Sequence, residues 1–228
     1  MHKFLSLLIL VPFFTSCFYE SKENDEELKF VSNNEDTTQF KTYWPNGSIK
    51  SIGLEYDGKA VGYVLNYDSL NNLYSKSFWR NDTNIAESIF YYPDGLIETY
   101  MFRHFDGLLR YKADYDKKGN LLKEQGSLDI MVDITNEKLI HEIGEETEML
   151  IFYPSPPHFE TKLFFGLMDE EGNIFGEEEL EIGEKGFFRK KIKFTKRGTF
   201  ACVVLLDRTN LITGEGYTRE IFFSVPVK

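Results

Sequence analysis

The stretch Tyr91–Tyr100, YYPDGLIETY, decides the fold, because related stretches recur along the chain. YWPNGSIKSI begins at Tyr43, and YDKKGNLLKE begins at Tyr115. A more divergent copy, YDSLNNLYSK, begins at Tyr67, so each copy starts 24 residues after the one before it. A period of this length indicates that one supersecondary unit is repeated as an array.

Other positions of the repeat keep the same phase. The fourth place after the tyrosine holds a residue that tolerates positive φ, namely Gly47, Asn71, Gly95 or Gly119. Two places further on stands an apolar residue, namely Ile49, Leu73, Ile97 or Leu121. A third column contains Leu54, Phe78 and Phe102. Several columns in phase are much stronger support for a repeat than the tyrosines alone.

Local chemistry indicates that each unit is a β-hairpin. Proline presets φ and glycine or asparagine accepts the left-handed bend in PNG, LNN, PDG and KKGN. Between these turns, SIGLEY and YVLNY alternate apolar and polar residues, which is typical of a half-buried antiparallel strand. We therefore expect an all-β chain with an antiparallel repeat sheet over residues 41–127, built from hairpin units of about 24 residues.

The repeat phase disappears in the second half of the chain, from about Leu128. Short runs such as TKLFFGLM and FACVVLLD are separated by turn signals such as DEEGN, GEKG and KRG. About seven such strands without helical periodicity predict an immunoglobulin-like β-sandwich over residues 128–228.

The repeated rows resemble MORN-like repeats of the bacterial antitoxin type. YDSLNNL and YDKKGNL also resemble the YD repeats of large bacterial surface proteins. The resemblance covers residues from Tyr43 to Gly126. Both motifs are degenerate, so the resemblance implies a β-scaffold and no particular chemistry.

The first residues predict export and lipidation. MHKFLSLLILVPFFTSC has a basic start, a short apolar core and a small-residue end, as in a secretory signal peptide over residues 1–16. FTSC, which ends at Cys17, resembles the lipobox of bacterial lipoproteins, and this implies acylation of the Cys17 thiol. The acidic segment that follows predicts a flexible tether over residues 17–40. A plain signal peptide with an incidental Cys17 is the alternative.

The tether also resembles acidic sorting signals of Gram-negative outer-membrane lipoproteins. We therefore expect a lipid anchor in the outer membrane, with the surface face and the periplasmic face both open. The chain carries a formal net charge of −11, which argues against a nucleic-acid partner because such binding neutralises phosphates. Its two cysteines, Cys17 and Cys202, predict no structural disulfide once Cys17 is lipidated.

No motif in the sequence indicates catalysis, a cofactor or a metal. His104, His141 and His158 form no spaced cluster with cysteine or histidine, and His158 in PSPPHFE is expected to lie in a loop. The acidic run GEEELEIGEKG, residues 176–186, is expected to be solvated surface charge. We therefore expect a protein that is not an enzyme and that has no cofactor.

Aromatic residues provide the better binding signal. Trp44 and Tyr92 both stand second in their repeats, directly after a tyrosine that we expect to face inward. This predicts two outward aromatics on one face, which suit a sugar or a protein partner. Trp79 is a third candidate contact. Packing between strands is the alternative for all three residues.

These observations favour a non-catalytic binding or assembly module, anchored in a bacterial envelope, with a protein or glycan partner. Two alternatives stay open at this point. One is an immunity or antitoxin-like protein that neutralises a basic toxin. The other is an envelope polysaccharide hydrolase, which requires two carboxylates across a cleft.

Overall fold

The computed structural model describes residues 37–134, 141–168, 172, 174–180 and 187–228. Strands are the only regular elements among these residues. The first eight are β1 (Thr38–Tyr43), β2 (Ile49–Tyr56), β3 (Lys59–Tyr67), β4 (Leu73–Arg80), β5 (Thr83–Tyr91), β6 (Ile97–Arg103), β7 (Leu109–Tyr115) and β8 (Leu121–Gly126). The next seven are β9 (Met131–Ile134), β10 (Glu146–Phe152), β11 (Phe159–Met168), β12 (Ile174–Leu180), β13 (Phe187–Lys193), β14 (Gly198–Asn210) and β15 (Gly216–Val227).

Strands β1–β8 form one antiparallel sheet in chain order, so the predicted repeat sheet is confirmed. The tyrosine that opens each repeat is the last residue of an odd-numbered strand. β1 begins at Thr38, three residues before the start expected at residue 41.

The four repeat turns have one geometry. In each, the backbone N–H of the second residue donates to the carbonyl of the sixth, as from Trp44 N to Ser48 O at 2.8 Å. The fifth residue takes a positive φ, which is 84° at Gly47 and 68° at Asn71. A bulge shifts the strand register at each opening tyrosine, as between Thr42 and Tyr43. This is a type I turn followed by a left-handed residue in a bulge.

Strands β9–β15 form an immunoglobulin-like β-sandwich, as the sequence predicts. One sheet has the order β13-β10-β9 and the other has the order β12-β11-β14-β15. Their facing side chains share a core that includes Met149, Leu163, Val204 and the free thiol Cys202, all of them 0% exposed. Burial raises the pKa of the Cys202 thiol to about 12, so this cysteine behaves as a small apolar residue.

The sandwich packs against the apolar face of the repeat sheet through aromatic side chains. Phe78 of the sheet has its ring centroid 5.4 Å from Phe152 and 5.3 Å from Phe187 of the sandwich. Phe105 also contacts Phe152, with centroids 5.5 Å apart. These edge and tilted geometries are favourable for aromatic pairs. The two parts therefore share a continuous core at their junction.

Candidate functional site

His158 lies at the junction between the sheet and the sandwich, in the loop between β10 and β11. Only 6% of its surface is exposed. Its Nδ1 atom lies 2.7 Å from the Tyr115 hydroxyl. Its Nε2 atom lies 3.3 Å from the Tyr111 hydroxyl and 3.1 Å from Glu124 Oε2. His158 thereby connects the sandwich to the last two strands of the repeat sheet.

Proline residues position this histidine. Pro154, Pro156 and Pro157 surround Ser155 in the loop, and each proline ring fixes φ near −65°. The Phe159 N–H closes the turn by donating to Pro156 O at 2.9 Å. The Ser155 N–H donates to the Tyr100 hydroxyl of the sheet at 2.7 Å. A stiff loop therefore presents His158 to the sheet.

Two phenols beside His158 stay protonated. Burial, followed by the hydrogen bond and the charge of Glu124, raises the pKa of Tyr111 above its ordinary value. Burial also raises the pKa of Tyr115. Tyr111 therefore donates to Glu124 Oε2, with an oxygen–oxygen distance of 2.6 Å. Such short contacts are typical of a hydroxyl that donates to a carboxylate.

Glu124 forms one wall of a pocket of about 620 Å³, which we call the junction pocket. It is lined by Tyr111, residues 124–129, Phe159 and residues 217–219. Its volume lies within the usual range for small-molecule sites. Unlike His158 behind it, the Glu124 side chain is 41% exposed, so its carboxylate faces both the buried cluster and the solvent.

The opposite wall holds an ion pair and two aromatic rings. Arg219 Nη2 lies 2.8 Å from Asp129 Oδ1, and the Ser127 hydroxyl donates to Asp129 Oδ2 at 2.7 Å. The hydrogen bond from Ser127 and the charge of Arg219 lower the pKa of Asp129. Phe159 and Tyr217 meet edge to face, with centroids 6.1 Å apart.

Arg208 supports the pocket from below and is 1% exposed. Its guanidinium donates to Leu128 O at 2.7 Å, to the Tyr217 hydroxyl at 2.8 Å and to Pro154 O at 2.5 Å. Burial lowers its pKa. One side chain therefore fixes the pocket wall at Leu128, the aromatic Tyr217 and the proline loop.

The junction pocket has the chemistry to bind a hydroxyl-rich ligand. Its carboxylates accept hydrogen bonds, its guanidinium donates them, and its aromatic rings offer apolar faces. Among the described residues, no group of three or more His, Cys, Asp or Glu side chains could hold a metal ion. In the same part of the chain, no helix has the length and apolarity needed to cross a membrane.

The predicted contacts Trp44 and Tyr92 lie at the turn end of the sheet, away from the junction pocket. Trp44 is half-buried, and its Nε1 donates to Tyr67 O at 3.0 Å. Tyr92 is also half-buried, and its hydroxyl donates to Tyr115 O at 2.8 Å. Each aromatic therefore links its own turn to the next repeat turn along the sheet.

The expectation that the tyrosine before Trp44 faces inward is wrong, because Tyr43 is 59% exposed. The bulge between Thr42 and Tyr43 interrupts the alternation on which that expectation rested. The third candidate, Trp79, is half-buried on β4, where it pairs with Gly62. Cys17, the predicted lipidation site, lies outside the described residues.

Sequence reasoning missed the junction pocket and its buried supports. His158 is in a loop, as expected, but its contacts come from strands more than 30 residues away. Arg208 left a signal that could have been used. It continues the inward column of Phe200, Cys202, Val204 and Leu206, where a charged residue is out of place.

Comparisons with known proteins give one distant structural likeness. No family model matches the chain, and no curated protein matches it. A similar solved structure is the CARDB domain of the PF1109 protein from Pyrococcus furiosus, in complex with di-metal ions. It is 16% identical, the match covers 50% of this chain and 99% of that chain, and the TM-score is 0.32. None of these findings assigns the chain to a family.

Proposed function

We propose that this protein is a lipid-anchored outer-membrane lipoprotein that binds an envelope glycan at the junction pocket without converting it. The MORN-like repeats serve as its scaffold, and Cys17 carries the anchor. The observation that carries the binding proposal is the Glu124 carboxylate at the pocket wall, held by Tyr111 and buried His158.

Rigidity of the pocket supports recognition. Its groups come from the sheet and the sandwich, His158 links the two parts through Glu124, and Arg208 fixes Leu128 and the proline loop. A site that is fixed before binding loses little conformational entropy when the ligand arrives. Carboxylates, a guanidinium and aromatic faces are the groups that sugar hydroxyls and sugar C–H faces would use.

The state of Asp129 favours binding over hydrolysis. A glycosidase acid needs a carboxyl with a raised pKa, next to a second carboxylate. The pKa of Asp129 is lowered, and the carboxylate is occupied by Ser127 and Arg219. Asp129 is therefore poorly suited to deliver a proton, and its two oxygens, held by Ser127 and Arg219, are not free to act as a nucleophile or base.

The binding proposal is tested by calorimetry on the full-length protein in non-ionic detergent with a panel of envelope glycans. We expect one glycan class to bind, and Glu124→Gln and Tyr217→Ala to weaken binding at least about tenfold, or about 1.4 kcal/mol. Glu55→Gln, at a half-buried glutamate on β2 that does not line the pocket, is the control and should leave binding unchanged. Failure of every glycan to bind, or release of new reducing ends, would refute the proposal.

The anchor is tested separately by metabolic labelling with an alkyne fatty acid. Wild type should be labelled and recovered with outer membranes, whereas Cys17→Ala should be unlabelled and released. Protease treatment of intact cells then distinguishes the surface face from the periplasmic face. Equal labelling of Cys17→Ala and wild type would exclude lipidation at this cysteine.

A further inference from the structure

The repeat turns alternate in a way that the 24-residue period conceals. The second place of each turn holds Trp44, Asp68, Tyr92 and Asp116 in order. The aromatics in the first and third turns reach forward and donate to carbonyls of the next turn, at Tyr67 and Tyr115. The aspartates do not reach forward, because they fold back on their own loops.

Asp68 accepts its side-chain hydrogen bonds from its own turn. Its Oδ1 accepts from the N–H groups of Leu70 and Asn72, each at 2.9 Å, and its Oδ2 accepts from Asn72 Nδ2 at 2.9 Å. Neighbouring turns at this end are two strands apart, which is roughly 10 Å. A tryptophan or tyrosine side chain spans that gap, and an aspartate does not.

The gap after the second turn is consequently open. A cleft of about 340 Å³ lies between the second and third turns, and we call it the turn cleft. It is lined by Asp68, residues 72–74, residues 91–93, Glu98 and Lys117. The corresponding gap after the first turn is crossed by Trp44 and by Asn46 Nδ2, which donates to Ser69 O at 2.8 Å.

The turn cleft combines aromatic walls with negative charge. Tyr74 is 51% exposed and meets Phe90 edge to face at 5.8 Å. Desolvation, followed by the charges of Glu98 and Asp116, raises the pKa of Tyr92. Lys117 Nζ already lies 5.7 Å from the centroid of the Tyr92 ring. The wall therefore accepts a cation within this molecule.

We propose that the turn cleft binds a cationic side chain, guanidinium or ammonium, presented by a protein partner. Tyrosine faces attract cations through the ring quadrupole, and the carboxylates Asp68 and Glu98 add Coulombic attraction. This site is independent of the junction pocket, because it lies at the turn end of β3–β6 and shares no lining residue with that pocket.

The test compares two ligands of the same shape and different charge. Nα-acetyl-arginine amide and Nα-acetyl-citrulline amide are titrated into the full-length protein with labelled tyrosine rings, followed by NMR. The arginine ligand should shift the Tyr74 and Tyr92 signals, and the citrulline ligand should not. Glu98→Gln should weaken binding up to about fivefold, the range of one exposed charge pair, and salt should weaken it further.

Tyrosine variants test whether the arginine ligand binds in the turn cleft and not elsewhere on the surface. Tyr74→Ala should abolish the shifts of Tyr92, and Tyr56→Ala, at a 40% exposed tyrosine at the opposite end of the sheet, should not. Replacing residues 68–72 by YPDGL, the sequence of residues 92–96, should close the cleft, because the new tyrosine can reach the carbonyl of Tyr91.

That replacement keeps a turn which already exists in this sheet, so thermal unfolding should be nearly unchanged. If it fails to fold, Tyr74→Ala and Glu98→Gln still decide the question. Equal binding of citrulline and arginine amides, binding that survives Tyr74→Ala, or no binding of either ligand would overturn the proposal. Glu124→Gln, which changes the junction pocket, should leave cation binding at the turn cleft intact. The proposal for the turn cleft can therefore fail or hold independently of the glycan proposal.

Discussion

One column of the repeat is buried in two different ways along the sheet. Leu54 packs with Ile52 and Leu65 in a small cluster within the first strands, and it is 7% exposed. Phe102 occupies the same column, but it is 0% exposed and belongs to the cluster that includes Phe152 of the sandwich. The repeat therefore specifies which face is apolar, whereas the sandwich determines how strongly each repeat is held.

The largest expected effect comes from removing side chains of this column. Phe102→Ala should lower the free energy of unfolding by about 3–5 kcal/mol, because it leaves a cavity beneath the sandwich. Leu54→Ala should cost about 2 kcal/mol, the low end for a buried leucine, because its cluster is small. Urea denaturation of the full-length protein, followed by circular dichroism, measures both values.

Leu70→Ala is the control, because this turn leucine is 80% exposed. It should change the free energy of unfolding by no more than about 0.5 kcal/mol. Equal losses in the free energy of unfolding for Phe102→Ala and Leu54→Ala would contradict this expectation. They would show that the sandwich does not determine how strongly each repeat is held.

An intermediate effect is expected at the polar part of the junction. Arg208→Met removes the donors to Leu128 O and Pro154 O, so one half-buried and one buried carbonyl lose a partner. We expect the free energy of unfolding to fall by about 2 kcal/mol. The loss of these hydrogen bonds outweighs the gain from no longer desolvating a buried guanidinium. The same urea titration measures this loss.

Arg219→Met is the matched control at the same junction. Arg219 pairs with Asp129, but its side chain is 58% exposed, so the loss should stay below about 1 kcal/mol. If the two arginine variants lost equal stability, burial of Arg208 would not be what holds the proline loop against the sandwich.

The repeat sheet was predictable from the sequence because local chemistry determines it. Positive φ at Gly47 and Asn71 and the alternation in SIGLEY act within a few residues, so a single sequence shows them. The same holds for the seven strands of the sandwich, which short apolar runs and turn signals delimit.

The candidate site was not predictable in the same way, because it depends on tertiary docking. His158 meets Tyr111, Tyr115 and Glu124 only when the sandwich lies on the sheet, and no local pattern encodes that arrangement. The inward orientation expected of Tyr43, next to the candidate Trp44, was wrong because a bulge interrupts the alternation of side chains at that tyrosine. Alternation is a reliable guide only up to the first bulge.

The smallest effect is expected in the turns, where the packing of the sandwich on the sheet should not matter. Gly47 and Gly95 have φ values of 84° and 86°, and an added Cβ would meet nothing within 4 Å at either site. Alanine at each position should therefore cost only the backbone strain of a left-handed residue, about 1 kcal/mol, whether or not the sandwich covers the neighbouring strands. Asparagine should cost less than alanine, because Asn71 adopts a φ of 68° in the equivalent turn. Urea titration of the four variants checks both points, and a much larger loss at Gly95 than at Gly47 would mean that the turns and the sandwich cover are energetically coupled.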